Sequence, residues 1–105
     1  MMVAVCQIEL YIPGCTSLKE KRFALKSVKT RIRNKFNVSV SEIDKNDKWQ
    51  RATLGIAFIC NDRKIIDSAF TQILTLIEGD VRLEVIDHIV AVSYTHLTLP
   101  TKRIV

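Results

Sequence analysis

A two-layer α+β sandwich, with four antiparallel strands and two helices on one face, is predicted by three observations. Two segments, Val3–Ile12 and Arg51–Cys60, alternate their side chains with a period of two, as strands do. Two others, residues 17–36 and 62–77, place apolar residues at helical spacing. The segments follow the order βαββαβ, with turn residues at the junctions and no internal linker. The 105 residues make one domain. Hydrophobic residues at 48% and charged residues at 26% exclude a disordered chain. No stretch nears ~18 apolar residues, so no membrane-spanning helix is expected. The N-terminal run has no basic region before its apolar residues and reaches Glu9 early, so no signal peptide is expected.

Each element has its own justification. In the first strand Ala4, Cys6, Ile8, Leu10 and Ile12 share one face, and Pro13-Gly14 ends it. Ser17 opens the first helix with Glu20 three residues on, a capping box. Leu18, Leu25, Val28, Ile32 and Phe36 form its apolar stripe, and Asn37 ends it. Val38 to Asp44 is the second strand, residues 45–48 a polar turn, and Gln50 or Arg51 to Cys60 the third. Asn61-Asp62 caps the second helix, whose apolar positions run from Ile65 to Ile77, with Gly79 as the stop. Val81 to about Ala91 is the fourth strand, with a bulge or strand end near Ile86 where the alternation slips.

Right-handed crossovers after strands one and three put both helices on one sheet face. The result is the ferredoxin-like βαββαβ arrangement. Ile8, Leu10, Val38, Val40, Leu54, Ile56 and Phe58 then face the helices. The opposite face, with Val3, Val5, Tyr11, Ile43, Thr53, Gly55, Ala57 and Ile59, stays uncovered. It lacks the outward aromatics of RNA-recognition sheets, and its partly apolar character suits a homodimer formed by sheet packing.

Three cysteines, Cys6, Cys15 and Cys60, include no CxxC pair, so neither a disulfide framework nor a zinc site is expected. Cys6 and Cys60 read as core residues, and Cys15 as a loop residue open to exposure. This cysteine usage suits the cytoplasm. Val92 to Thr101 resembles the in-frame translation of a sequencing-library adapter. The expected domain is therefore residues 1–91, with 92–105 a suspect tail that carries no functional weight.

Ser17-Leu18-Lys19-Glu20-Lys21-Arg22 forms one further motif. Phe36 to Asp44, followed by Asp47, Trp49-Gln50-Arg51-Ala52 and Leu54-Gly55, forms another. Together they resemble the bacterial YlxP-like family, domain of unknown function 503, from about residue 2 to residue 90. The resemblance implies a small ferredoxin-like protein. The family's genes often lie beside those for a transcription elongation factor, a translation initiation factor and a ribosome-binding factor, which implies a role near RNA or ribosome maturation. It brings no catalytic residues with it.

Charge carries the functional signal. The chain has 16 basic and 11 acidic residues, for a net charge of +5. Half of the basic ones lie in residues 16–36: Lys19, Lys21, Arg22, Lys26, Lys29, Arg31, Arg33 and Lys35, against Glu20 alone. On a helix, Lys19, Arg22, Lys26, Lys29 and Arg33 fall within about an 80° arc beside the apolar stripe, with Lys21, Arg31 and Lys35 assigned to the other flank. Cations so spaced can track a phosphate backbone, or form a plain solvated face. Phe23 lies near that arc, either as a platform for a base or as a surface aromatic.

Other groupings are weaker. The loop Pro13 to Ser17 with Lys19 and Lys21 is either an anion site or a capped turn, and it is not a P-loop. Asp44, Asp47, Trp49 and Arg51 form either a structural hairpin tip or a partner contact. Their spacing is not that of an EF-hand, and no metal is implied. His88 has no partner for a triad. The size and topology resemble acylphosphatases, but Pro13 to Ser17 does not match their arginine-containing loop.

The expectation is a cytoplasmic, non-catalytic protein without a cofactor. It would bind RNA or a ribosomal particle through Lys19, Lys21, Arg22, Lys26, Lys29 and Arg33, with no membrane contact. The alternative is a homo-oligomeric structural or regulatory protein with protein partners.

Overall fold

Strands and helices follow the expected order in the computed structural model, which describes residues 1–44 and 50–94. The elements are β1 (Met2–Tyr11), α1 (Leu18–Lys35), β2 (Ser39–Asp44), β3 (Arg51–Cys60), α2 (Arg63–Glu78) and β4 (Glu84–Tyr94). They form one antiparallel sheet in the order β2-β3-β1-β4. This is the ferredoxin-like α+β fold that the alternation and element order predict.

The central ladder explains the burial. β1 pairs with β3 from Met2↔Cys60 to Tyr11↔Arg51, so the even residues of both strands share a face. Ala4, Cys6, Ile8 and Leu10 are fully buried there with Leu54 and Ile56. Leu25, Val28 and Ile32 of α1 and Ile66, Phe70, Ile73 and Ile77 of α2 close the other side of the core. Phe58 meets Phe70 edge to face with ring centroids 5.2 Å apart. Burial also pushes the Cys6 thiol up to about 11, leaving it a small apolar filler.

The turns show why the elements stop where they do. Pro13-Gly14 makes a tight turn in which the Cys15 N–H donates to the Ile12 carbonyl at 3.3 Å. Gly14 sits at φ +77°, which suits the third position of a type II turn after proline. Ser17 caps α1 by accepting from the Glu20 N–H at 3.2 Å. The Glu20 carboxylate returns one residue further than a standard capping box, accepting from the Thr16 N–H at 2.8 Å. In α2 the Asp62 carboxylate caps the Lys64 N–H at 2.9 Å.

Several expectations are corrected. Cys15 is buried, its thiol donating to the Ser17 carbonyl at 3.2 Å, because the Pro13-Gly14 turn folds it back under α1. Thr53 is buried although it lies on the open sheet face, beside the register shift at the end of β2. Gly79 ends α2 in a right-handed conformation at φ −75°. Gly79 is thus the C-cap that the sequence announces, and the Asp80 N–H adds a tighter turn by donating to the Ile77 carbonyl at 3.0 Å.

The fourth strand starts later and runs further than expected. Its bulge falls at Ile86, between the pairs Glu9↔Asp87 and Leu10↔Val85. Beyond it, Ala4↔Val92, Val3↔Ser93 and Met2↔Tyr94 continue the ladder. The strand therefore continues past residue 91 to Tyr94, because the first residues of β1 take these three as partners. The Arg63 guanidinium donates to the Tyr94 hydroxyl at 3.2 Å. The rest of the suspect tail lies outside the described residues.

Candidate nucleic-acid interface

The apolar stripe of α1 determines which of its cations reach solvent. Packing against the sheet buries Ala24, Leu25, Val28 and Ile32. Lys19, Arg22 and Lys26 emerge on the exposed flank, and Lys29 is half-buried at its border. None of these four makes an ion pair among the described residues. Glu20, the lone acid of this segment, is occupied with the Thr16 N–H and hydroxyl at 2.8 and 3.1 Å. Four positive charges thus follow one helix edge without a counter-charge among the described residues, a local positive potential suited to a polyanion.

Two of the assigned contacts look different in the structure. Lys21 is only 4% exposed, and its ammonium lies 4.0 Å from the Glu42 carboxylate on β2. It is a buried tie between α1 and the sheet that leaves little surface for a phosphate. At 3.6 residues per turn Lys21 falls at the centre of the apolar stripe, in the same sector as Val28 and Ile32. Arg33 is exposed, but its guanidinium donates to the Val40 carbonyl at 2.8 Å, so part of its fork is committed to β2. Its remaining N–H groups continue the basic row.

The structure adds a second charged cluster that the sequence reading missed. Asp80 is buried just after α2 and accepts from the Arg82 backbone N–H and Nε at 2.9 and 3.1 Å and from its Nη2 at 2.9 Å. Arg31 of α1 donates to the same carboxylate at 3.1 Å. Arg82 also donates to the Ser27 hydroxyl at 3.2 Å. The hydrogen bonds from Arg82, with both guanidinium charges nearby, outweigh the cost of burial and hold the Asp80 carboxyl down to about 2. The cluster fastens α1 to the loop between α2 and β4. Asp80 and Arg82 two residues apart carry the local signal of an Asx turn, which would have flagged the pair.

Beside this clamp lies a cleft of about 440 Å³ between the β1–α1 turn and α1, lined by Ile12, Pro13, Lys19, Phe23, Ala24 and Arg82. The Arg82 guanidinium lies over the Phe23 ring, 5.7 Å from its centroid. Phe23 remains 69% exposed.

The hairpin grouping is only partly described. Asp44 ends β2 opposite Thr53, and Arg51 begins β3 opposite Tyr11 with an exposed side chain. Asp47 and Trp49 lie outside the described residues. The sheet face away from the helices exposes Ile59 at 65%, Ile89 at 62% and part of Val5. His88 is exposed on the edge strand β4. No helix of the described residues is long and apolar enough to cross a membrane.

Solved structures of unrelated sequence share this architecture. A de novo designed protein, Foldit4, superposes with a TM-score of 0.54 at 16% identity, over 91% of this chain and all of that one (100%). A mutant of SnoaB, a cofactor-independent oxygenase from Streptomyces nogalater, superposes with a TM-score of 0.51 at 12% identity, over 94% of this chain and 97% of that one. At such identities the likeness concerns the fold alone. Sequence comparison is more specific. The family described as "Protein of unknown function (DUF503)" matches residues 3–90, and this chain belongs to it. The uncharacterized protein YlxP of Bacillus subtilis (strain 168) is 40% identical over 83 residues, covering 79% of this chain and 90% of that protein. The matched span stops short of the adapter-like segment at Val92.

Proposed function

We propose that this protein is a non-catalytic, cytoplasmic binder of RNA or of a ribosomal particle, engaging the phosphate backbone through α1. One observation carries the reading: Lys19, Arg22, Lys26 and Lys29 share an edge of α1 and have no ion-pair partner among the described residues. Repeated every three or four residues, they match the demands of phosphate contacts, which position a protein and read little sequence. A role in ribosome maturation accords with the gene neighbourhood that the family resemblance implies. The test is binding of an rRNA fragment by Lys26→Glu/Lys29→Glu. Affinity falls about tenfold with folding intact if α1 is the surface, and an unchanged affinity refutes it.

A second reading, self-association, is favoured by a different observation. Ile59 and Ile89 are exposed on the sheet face opposite the helices, with Val5 between their strands. Burying such a patch against a second copy removes apolar area from water. It leaves α1 free on the far side, so the two readings are compatible. Light scattering over a concentration series decides it: a mass that stays at 12.0 kDa removes the dimer.

A further inference from the structure

We infer that the cleft beside Phe23 receives one unstacked base of a single-stranded RNA, whose phosphates run along the α1 cations. This rests on the phosphate-binding reading of α1 and specifies its ligand. Three features converge. Phe23 occupies the first turns of α1 one position from Arg22 and four from Lys19, yet its ring is 69% exposed. An aromatic left so open next to a basic row forgoes the burial that would ordinarily hold it in a core. The cleft it borders measures about 440 Å³, within the ordinary range of roughly 300–1,000 Å³ for small-molecule sites, and its walls are mainly apolar.

The polar groups at the cleft sort into fixed and available ones. Arg82 lies over the Phe23 ring and is anchored by Asp80, which it shares with Arg31, and by Ser27, so its position is fixed. Glu20 also borders the cleft, but its carboxylate is turned to Thr16. Lys19 lies at the rim with no ion-pair partner among the described residues. A flat ring therefore finds an aromatic ring, a guanidinium and aliphatic walls, while the phosphate attached to it finds an ammonium. A nucleotide unit has this pairing of a π-face with an anion. A duplex does not, because its bases stay stacked on one another and only splayed bases reach aromatic side chains. Charge complementarity thus selects a phosphate backbone, as the RNA reading of α1 requires, and the cleft selects its single-stranded form.

The experiment compares an unstructured 12-nucleotide RNA carrying 2-aminopurine with a 12-base-pair RNA duplex, for the full chain and for Phe23→Ala, Phe23→Trp and Lys26→Glu/Lys29→Glu. The proposal expects tighter binding of the single strand and a change in 2-aminopurine emission on binding. Phe23→Ala loses about tenfold in single-strand affinity, in line with base–aromatic stacking, with its melting temperature and duplex affinity unchanged. Phe23→Trp retains both affinity and emission change. If Phe23→Ala binds the single strand as well as the parent while Lys26→Glu/Lys29→Glu still weakens it, the base site is overturned and the phosphate reading stands. Equal losses for both RNAs in Phe23→Ala also overturn the base site. If no RNA binds the parent chain, both fall together.

Discussion

Two sets of cations surround α1, and they have opposite fates. Arg31 and Arg82 converge on one buried carboxylate, Asp80, and lock α1 to the α2–β4 loop. Lys19, Arg22, Lys26 and Lys29, on the flank away from Arg31, face no acid among the described residues. The first set turns charge into fixed geometry. The second leaves it as a field. A count of basic residues along the chain cannot separate the two, because the difference lies in which acids the fold brings near each side chain. Lys21 shows this most sharply: it belongs to the basic run in sequence and to the interior in the fold.

The largest expected effect comes from breaking the locked set. Asp80→Ala leaves Arg31 and Arg82 without their acceptor and costs about 2–3 kcal/mol, seen as a melting temperature lowered by about 10 °C. Its RNA affinity holds or rises, since two guanidinium groups lose their counter-charge. A fall as deep as that of Lys26→Glu/Lys29→Glu would erase the distinction between the sets.

Acid probes the same clamp without mutation. The Asp80 carboxyl titrates at about 2 in the fold, below its ordinary 3.8, so its contribution is fully present above about pH 4 and lost as pH falls towards 2. The loss is on the order of 2 kcal/mol. Melting between pH 5 and 2 should show a steeper fall in the parent than in Asp80→Asn, and parallel curves would contradict the clamp. Lys26→Glu/Lys29→Glu has the reverse profile, with RNA affinity down about tenfold and stability within ~0.5 kcal/mol of the parent.

Lys21→Met sharpens the comparison from the buried side, with RNA affinity expected within about twofold of the parent, as for a residue outside the interface. The smallest effect belongs to Gly55→Ala. A Cβ there would come 2.9 Å from Ile43 Cγ2, but Ile43 is half exposed and gives way. The change costs under about 1 kcal/mol and leaves RNA binding untouched.

Local pattern made most of the fold legible. The alternation of β1 and β3, the Ser17 cap, the stripe on α1 and the slip at Ile86 each depend on residues close in sequence, where spacing maps onto a face. What escaped depends on distant residues or on phase. The Arg31–Asp80 pair joins positions 49 apart. Lys21 shares the charge of its neighbours in sequence, but its angle on the helix places it in the apolar stripe. Residues 92–94 resemble adapter sequence and also extend β4 by pairing with Met2, Val3 and Ala4, a length that β1 and not the alternation of β4 determines. The cleft depends on Arg82 arriving over Phe23 from the far end of the chain, which no local motif announces.

The salt dependence of RNA affinity tests the central claim most directly. With an unstructured RNA oligonucleotide, four phosphate contacts predict a slope of log K against log salt of about −3, and Lys26→Glu/Lys29→Glu at least halves it. A slope near zero, or the same slope in parent and variant, would show that the uncompensated edge of α1 is not where the polyanion binds.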